Sequence, residues 1–161
     1  MTAASVTLRE VRDDDLSAFW EHARDPEAQQ VAAVTREYHY DQKLFDAHMA
    51  RVRGNPDVRM RTVLADGVVA GHVAVYGPPD EREVTYWIGR SQWGRGVATT
   101  ALSQLIALEE ARPVYAHVVA DNTGSLRVLE KCGFVVTGRD RGFAFARGQE
   151  VDEVLLVLEG R

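Results

Sequence analysis

The chain has 161 residues and a formal net charge of −5, with 45% hydrophobic and 27% charged residues. This length and composition fit a single globular domain over residues 1–161, and an acidic balance without a run of Lys or Arg argues against a nucleic-acid-binding face. The single cysteine, Cys132, excludes an internal disulfide and a thiolate metal cluster, while the lack of a leader or a membrane-length apolar run predicts a cytoplasmic protein with no membrane partner.

The first half of the chain predicts a strand, three helical stretches and a β-hairpin, in that order. The predicted elements are a strand over residues 6–11, a helix capped by Asp13, Asp14 or Asp15, a helical stretch over residues 26–34, a helix capped by Asp41, and strands over residues 58–64 and 68–76. The pair Asp66-Gly67 between the last two strands is typical of a two-residue hairpin turn.

The second half alternates strands and helices around a glycine-containing loop. The predicted elements are a strand over residues 83–88, a helix from 97 to about 111, a strand over 114–119, a helix over 122–131 ended by Gly133, and closing strands over 134–136 and 151–158 around a polar loop over 139–149. Early hairpins with helices inserted later indicate a mixed α/β sheet rather than a doubly wound parallel sheet. The closing strands offer an edge through which a homodimer can form.

Residues 87–99 join a strand to a helix through a loop that contains Gly94 and Gly96. Glycine removes side-chain bulk where the backbone turns sharply or where another group approaches it closely. The start of the following helix offers unpaired N–H groups and a partial positive charge, which favour a phosphate or pyrophosphate. Arg90 and Arg95 can add guanidinium donors to the same anion. The stretch taken alone is equally compatible with a tight turn that binds no ligand.

Asn122 and Ser125 form a second polar pair, in the first turn of the helix predicted after the strand over residues 114–119. The usual role of such residues is capping, in which a side-chain oxygen accepts a backbone N–H. Either side chain can instead point into a cleft at the carboxyl end of that strand.

The two segments together carry a recognisable set of motifs. Its members are Tyr86-Trp87-Ile88-Gly89, Trp93-Gly94-Arg95-Gly96-Val97-Ala98-Thr99, Asn122, Ser125 and Leu129-Glu130-Lys131-Cys132-Gly133-Phe134. They resemble the GCN5-related N-acetyltransferases (GNAT), in particular the branch with the ribosomal-protein N-terminal alanine and serine acetyltransferases. The order of motifs and elements is similar over nearly the whole chain. Trp93 is a departure, because the family usually has Gln or Arg before this glycine.

This resemblance implies a mostly antiparallel central sheet with splayed central strands flanked by helices, and acetyl-CoA as the acyl donor without a metal. It also implies that backbone N–H groups of residues 90–98 hold the pyrophosphate, and that the pantetheine arm runs between strands ending near Ile88 and Val118, with Asn122 facing it. The residues so implied to bind acetyl-CoA are Ile88, Gly89, Arg90, Gln92, Trp93, Gly94, Arg95, Gly96, Val97, Ala98, Thr99, Asn122 and Ser125.

The implied activity is that of an acetyl-CoA-dependent N-acetyltransferase, in which a primary amine attacks the thioester through a tetrahedral intermediate. The reaction needs a donor for the oxyanion, which the backbone near Ile88 can supply, and a base for the ammonium proton. We assign the base to Glu83, with His72 and His117 as alternatives. We expect the Ser125 hydroxyl to hydrogen-bond the leaving sulfur, with capping as its competing role.

The acceptor is left open among a protein N-terminus, a polyamine, an aminoglycoside and another small amine. We expect its pocket to come from the helical region between the first two strands and from the loop over residues 139–149. The aromatic and histidine candidates for its lining are Trp20, Tyr38, His39, Tyr40 and Phe143.

Other classes of function fit the residues less well. A dinucleotide-binding oxidoreductase would need a small residue at position 99, where this chain has Thr99. It would also need an acidic residue at the end of a strand to bind the ribose, whereas Glu109 and Glu110 are predicted inside a helix. A phosphate-loop nucleotide hydrolase would need Gly-Lys-Ser/Thr after the loop, which this sequence does not have. A non-catalytic acyl-CoA-binding module of the same fold is the alternative that stays open.

Overall fold

The computed structural model of the chain describes residues 4–32 and 41–160. Its helices and strands, in chain order, are β1 (Val6–Glu10), α1 (Asp15–Ala23), α2 (Pro26–Ala32), α3 (Gln42–Gly54), β2 (Arg59–Ala65), β3 (Val68–Tyr76), β4 (Arg82–Ile88), α4 (Val97–Leu108), β5 (Val114–Val119), α5 (Thr123–Lys131), β6 (Val135–Ala144) and β7 (Gln149–Leu158). A short 3₁₀ turn over Arg90–Gln92 lies between β4 and α4.

The strands form one sheet in the order β1-β2-β3-β4-β5-β7-β6. The pair β4–β5 is parallel, and the other neighbouring strands are antiparallel. β4 and β5 are paired at Arg82↔Val114 and Glu83↔Tyr115, and the paired register goes no further along the two strands. The predicted mixed sheet with splayed central strands is therefore confirmed.

Two local predictions from turn and cap residues are confirmed. Asp66 and Gly67 between β2 and β3 have φ of 52° and 82°, the positive values that a type I′ hairpin turn requires. Asp41 caps α3, because its Oδ1 accepts hydrogen bonds from the backbone N–H groups of Lys43 and Leu44 at 2.9 and 3.2 Å.

The capping hydrogen bond predicted for an acid at the start of α1 is not observed. Asp14 occupies the N-cap position without a side-chain capping hydrogen bond. Asp15 is buried instead, where it accepts two hydrogen bonds from Arg9 at 2.7 and 2.8 Å and one from the Thr62 hydroxyl at 2.6 Å. The carboxylate thus ties α1 to β1 and β2 rather than only to its own first turn.

The predicted polar loop over residues 139–149 is also wrong. β6 continues to Ala144 and β7 begins at Gln149, so residues 145–148 alone form the turn. β6 is an edge strand whose side chains are largely exposed, and its polar residues therefore lie in a strand rather than a loop. Val135 and Val136 are exposed on this edge, where the possible homodimer stays a prediction.

The two faces of the sheet have separate cores. On one face α4 buries Val97, Ala101, Leu102 and Leu105 against the sheet. On the other face α1 and α3 bury Phe19, Phe45 and Met49 against Met60 and Ala74.

A buried ion pair fixes the end at which β4 and β5 are paired. α4 ends at Leu108 rather than near residue 111, and Glu109 accepts a hydrogen bond from Arg82 at 3.2 Å. Arg82 is 8% exposed and also donates to the carbonyl of Gly77 at 2.6 Å. This end of the strand pair is therefore closed, and the other end is open.

No helix within residues 4–32 or 41–160 has both the length and the apolar character needed to cross a bilayer. The same residues contain no group of three or more His, Cys, Asp or Glu side chains placed to hold a metal ion. Cys132 is half-buried at the end of α5, and burial raises the pKa of its thiol.

Candidate active site

A cavity of about 880 Å³ opens where β4 and β5 separate, and residues from both faces of the sheet line it. Among the predicted site residues, those that line it are Glu83, Ile88, Gln92, Trp93, Gly94, Gly96, Val97, Ala98, Thr99, Asn122 and Ser125. Gly89, Arg90 and Arg95 are not among its lining residues. The structure thus brings most of the predicted residues, distant in sequence, to one place.

The loop before α4 leaves open space at the start of that helix. Gly94 and Gly96 have φ of 77° and 74°, and a Cβ atom added to either would meet no atom within 4 Å. Gly96 is the N-cap, and no side chain caps the helix. The first N–H groups of an α-helix have no partner within it, so those of Val97, Ala98 and Thr99 are suited to an anion bound at this opening. We call residues 94–99 the cradle.

The two arginines expected at this anion lie elsewhere. Arg90 pairs with Asp25 at 2.8 Å and with Glu27, which fastens the loop to the start of α2. Arg95 donates to Asp66 at 2.5 Å and to the Gln92 side chain. The cradle is consequently formed by backbone groups, and the guanidinium groups hold the loop in place around it.

Gly89 and Trp93 have structural roles at the end of β4. A Cβ atom on Gly89 would lie 2.6 Å from the ring of His22, so the close approach of α1 requires glycine there. The Trp93 indole donates to the carbonyl of Ile88 at 2.8 Å and holds the loop against the strand. This bond gives a physical reason for tryptophan at the position where the resembling family has Gln or Arg.

The hydrogen-bond alternation along β4 directs N–H groups toward the opening. The Gly89 N–H donates to the carbonyl of Ala70 on the β3 side at 2.8 Å. Because bonding alternates along an antiparallel strand, the N–H groups of Tyr86 and Ile88 point the opposite way, toward β5. The β4–β5 pairing has ended at this level, so these donors face the gap.

Asn122 and Ser125 meet β4 across the gap. The Oδ1 atom of Asn122 accepts the Ser125 N–H at 3.2 Å, which is the predicted capping interaction. The Tyr86 and Ser125 hydroxyl groups hydrogen-bond each other, and the Ser125 carbonyl oxygen lies 3.3 Å from the same Tyr86 oxygen. Burial raises the pKa of Tyr86 to about 12, so its phenol stays protonated at neutral pH.

Glu83 is the last residue of β4 that is paired with β5, and its side chain lies on the other face of the sheet. Its carboxylate pairs with Nδ1 of His117 on β5, and its side chain is 22% exposed. His72, the other predicted alternative, lies on β3 against the Phe19 ring at a centroid distance of 4.8 Å. Burial lowers the pKa of His72 to about 4, so it is neutral at physiological pH.

The predicted aromatic lining is only partly observed. Trp20 lines the cavity, whereas Phe143 is half-exposed on β6 against Phe145 and is not among the lining residues. Tyr38, His39 and Tyr40 lie outside the described residues.

Sequence reasoning missed Arg127 and Lys131, which line the cavity on the α5 side. Their i, i+4 spacing places them on the same face of α5, and this was the available signal. It also missed Trp87, whose indole donates to the carbonyl of His22 at 3.1 Å. That bond joins residues far apart in sequence, and no local pattern predicts it.

Comparison with known proteins gives a consistent family. A family model described as an acetyltransferase (GNAT) domain matches residues 5–135. An uncharacterized N-acetyltransferase, p20 from Bacillus licheniformis, is 32% identical over 81 residues. That match spans 47% of this chain and 45% of the relative, less than half the length of either.

The solved structures that are similar over nearly their full length include the following two. The ribosomal-protein-alanine N-acetyltransferase from Brucella melitensis has a TM-score of 0.80 and 18% identity, covering 96% of this chain and 99% of that one. The spermidine N-acetyltransferase from Vibrio cholerae, in complex with CoA and spermine, has a TM-score of 0.75 and 18% identity, covering 96% and 95%. At these identities the similarity shows the shared fold.

Proposed function

Since a family model matches residues 5–135, the chain belongs to the acetyltransferase (GNAT) domain family, and we propose that it transfers the acetyl group of acetyl-CoA to a primary amine. The observation that carries this proposal is one cavity that joins an open cradle, two parted strands and a carboxylate on the far face of the sheet. The cradle suits a diphosphate, the gap suits an extended thioester arm, and the carboxylate suits an ammonium group.

In this proposal the cradle and α5 bind the donor. The N–H groups of Val97, Ala98 and Thr99 would hold the pyrophosphate, and the absence of side chains at Gly94 and Gly96 lets it approach the backbone. The similar spermidine N-acetyltransferase from Vibrio cholerae is in complex with CoA, which supports the same kind of donor here.

Glu83 would act as the base for the acceptor. Its carboxylate takes a proton from the ammonium group, and the neutral nitrogen then forms a bond to the thioester carbonyl carbon. His117 pairs with Glu83 and holds that carboxylate at the mouth of the gap. The N–H groups of Tyr86 and Ile88 face the gap and would stabilise the oxygen that gains negative charge.

Ser125 would assist departure of the thiolate. When the carbon–sulfur bond breaks, the electron pair goes to sulfur, the nitrogen gives its remaining extra proton to solvent, and the Ser125 hydroxyl donates a hydrogen bond to the thiolate. The single phenolic proton of Tyr86 would then be donated to the Ser125 hydroxyl oxygen, which orients the Ser125 proton toward the sulfur.

The test is thiol release from acetyl-CoA with a panel of primary amines, with the acetylated product identified by mass spectrometry. We expect amine-dependent release that is strongly reduced in the Glu83→Gln/Ser125→Ala double variant. Undiminished turnover in this variant would contradict the roles assigned to Glu83 and Ser125 but would still support the acetyltransferase activity. Donor binding without transfer to any amine would instead favour the non-catalytic acyl-CoA-binding module.

A further inference from the structure

The cavity residues on the face of the sheet away from α4 surround the place for the acceptor. On this face His72 is the cross-strand partner of Trp87, and Tyr76 is the partner of Glu83. Cross-strand partners point to the same side of a sheet, so these side chains share one surface. We call the part of the cavity lined by Trp20, Phe45, Met49, His72, Glu83 and Trp87 the acceptor chamber.

The walls of the acceptor chamber are mainly aromatic and apolar. Trp20 and Trp87 are half-buried at the cavity, and the buried core residue Phe45 packs against Trp20 at a ring centroid distance of 5.3 Å. Ala28 and Val31 of α2 add apolar surface to the same cavity. Such walls stabilise an apolar group of aromatic size by removing it from water.

The charges of the described lining residues differ between the two faces. Arg127 and Lys131 lie on α5, on the donor side, while the carboxylates of Glu83 and Glu153 lie on the acceptor side. His72 adds no positive charge, because burial keeps it neutral. An ammonium group therefore finds a carboxylate in the chamber, whereas a carboxylate of the acceptor would be desolvated beside no described Lys or Arg side chain.

The position of α2 favours a compact acceptor. Arg90, in the loop after β4, pairs with Asp25 just before α2 and with Glu27 in its first turn. At its other end the Gln30 side chain donates to the carbonyl of Ala146, and Arg147 donates to the carbonyl of Gln30 at 2.9 Å. Arg147 also pairs with Asp121 through hydrogen bonds of 2.7 and 2.9 Å. The turn of the β6–β7 hairpin is thus attached to the helix that walls the chamber, and we call this set of contacts the clasp.

We infer that the acceptor is a compact primary amine that carries an apolar group of aromatic size and no carboxylate. This inference rests on the proposed transferase function, and it selects one class from the amines that the function allows. A polyamine and a protein N-terminus are the competing classes, and the carboxylate of Glu83 disfavours a carboxylate-bearing amine.

The experiment compares probes that differ in one property. Calorimetry on the full chain with CoA present measures the binding of four probes: 2-phenylethylamine, phenylalanine, spermidine and a peptide with an N-terminal alanine. Turnover of each probe with acetyl-CoA is measured separately. We expect 2-phenylethylamine to bind at least about 10-fold more tightly than each of the others, a difference of about 1.4 kcal/mol. Equal or tighter binding of any other probe, or no binding of 2-phenylethylamine, would overturn the inference.

The two measurements separate this inference from the proposed function. Efficient acetylation of spermidine or of the peptide in preference to 2-phenylethylamine would overturn the acceptor class and support the transferase. Preferential binding of 2-phenylethylamine without acetyl transfer would support the ligand class and overturn the proposed transferase function.

A charge variant tests the reason for the preference. Thr85 is exposed on β4 between Glu83 and Trp87, and it lines the cavity. We expect Thr85→Lys to improve binding of phenylalanine relative to 2-phenylethylamine at least about 10-fold, because it supplies a cation for the carboxylate. The control Thr85→Gln has similar length without charge, and an equal improvement in it would overturn the charge argument.

A variant of the clasp tests the size preference. We expect Arg147→Ala to improve binding of the peptide relative to 2-phenylethylamine, because it removes the contacts of the hairpin turn to α2 and Asp121. Arg141→Ala is the control, since Arg141 of the same hairpin pairs with Asp152 at 3.3 Å and is not among the lining residues of the cavity. An unchanged preference in Arg147→Ala would overturn the role of the clasp.

Discussion

The two sides of the cavity are built in different ways. The donor side is largely the backbone of one continuous stretch, the cradle over residues 94–99, with the start of α5 across the gap. The acceptor side consists of side chains from α1, α2, α3, β3, β4 and β5 that only the complete fold brings together. A binding site made of backbone groups requires glycine at a few positions of the sequence. A binding site made of side chains from many elements can change its specificity through a substitution at any one of them.

The largest expected effect is on the donor side. Gly96→Glu should reduce acetyl-CoA affinity by more than about 100-fold, because it fills the open space beside the helix start with bulk and negative charge. Calorimetric titration measures this loss. Gly67→Glu is the control, because Gly67 also has a positive φ of 82° with open space but lies outside the cavity. Unchanged affinity in Gly96→Glu would mean that the cradle does not bind the diphosphate.

The next effect separates chemistry from donor binding. Glu83→Gln should lower kcat by about 10²- to 10⁴-fold and leave acetyl-CoA affinity unchanged, because the amide cannot accept the ammonium proton. Steady-state kinetics and calorimetry measure the two quantities. Glu81→Gln is the control, since Glu81 is exposed in the preceding turn and is not among the lining residues. A retained kcat would transfer the role of base to His72, His117 or a water molecule.

A third prediction concerns the support of the acceptor side. Asp15 holds α1, which carries Trp20, against β1 and β2. Asp15→Asn should destabilise the protein by about 3 kcal/mol at pH 7, because it leaves Arg9 without its buried partner. Denaturant unfolding measures this loss, and Asp13→Asn is the control because Asp13 pairs with Arg53 at the exposed surface. Equal stability of the two variants would contradict the structural role of Asp15.

The same carboxylate gives a pH dependence with a defined sign. The Arg9 guanidinium holds the pKa of Asp15 well below its usual range, so the folded state binds the proton less readily than the unfolded state. The resulting stability is present above about pH 4 and decreases as the pH falls below it. The wild-type free energy of unfolding should therefore fall more steeply than that of Asp15→Asn between about pH 4 and 2. Parallel slopes would contradict this assignment.

The smallest effect concerns the leaving group. Ser125→Ala should lower kcat by about 10-fold, in line with one hydrogen bond to a charged group. Tyr86→Phe should lower it less, and the double variant should match Ser125→Ala, because Tyr86 acts through Ser125. Multiplied losses in the double variant would show that the Tyr86 hydroxyl acts independently.

The difference between the two sides also explains what the sequence could predict. The strand, glycine loop and helix from residue 83 onward are local patterns, so the cradle and the order of the elements could be predicted from the chain. The gap near Ile88 and the cap formed by Asn122 followed from the family resemblance and from cap chemistry. The partners of Arg90 and Arg95 could not be predicted, because Asp25 and Asp66 approach them only in the folded chain.

The wrong predictions likewise arise from contacts between residues that are distant in sequence. The three acids at positions 13–15 stand between a strand and a helix, which locally indicates a cap, but Asp15 is the first residue of α1 and is buried where Arg9 and Thr62 donate to it. The residues after 139 are polar because β6 is an edge strand, which local composition does not distinguish from a loop. The pairing of Glu83 with His117 likewise depends on the one parallel contact in the sheet.

The short pairing of β4 with β5 divides the sheet into two hydrogen-bonded sections, β1–β4 and β5–β7–β6, that meet at Arg82 and Glu83. A thioester arm lying along the gap would contact both sections where they do not contact each other. Donor binding should then act as a mechanical link across the sheet, slowing amide exchange along β5 while it raises the stability of the folded state by mass action.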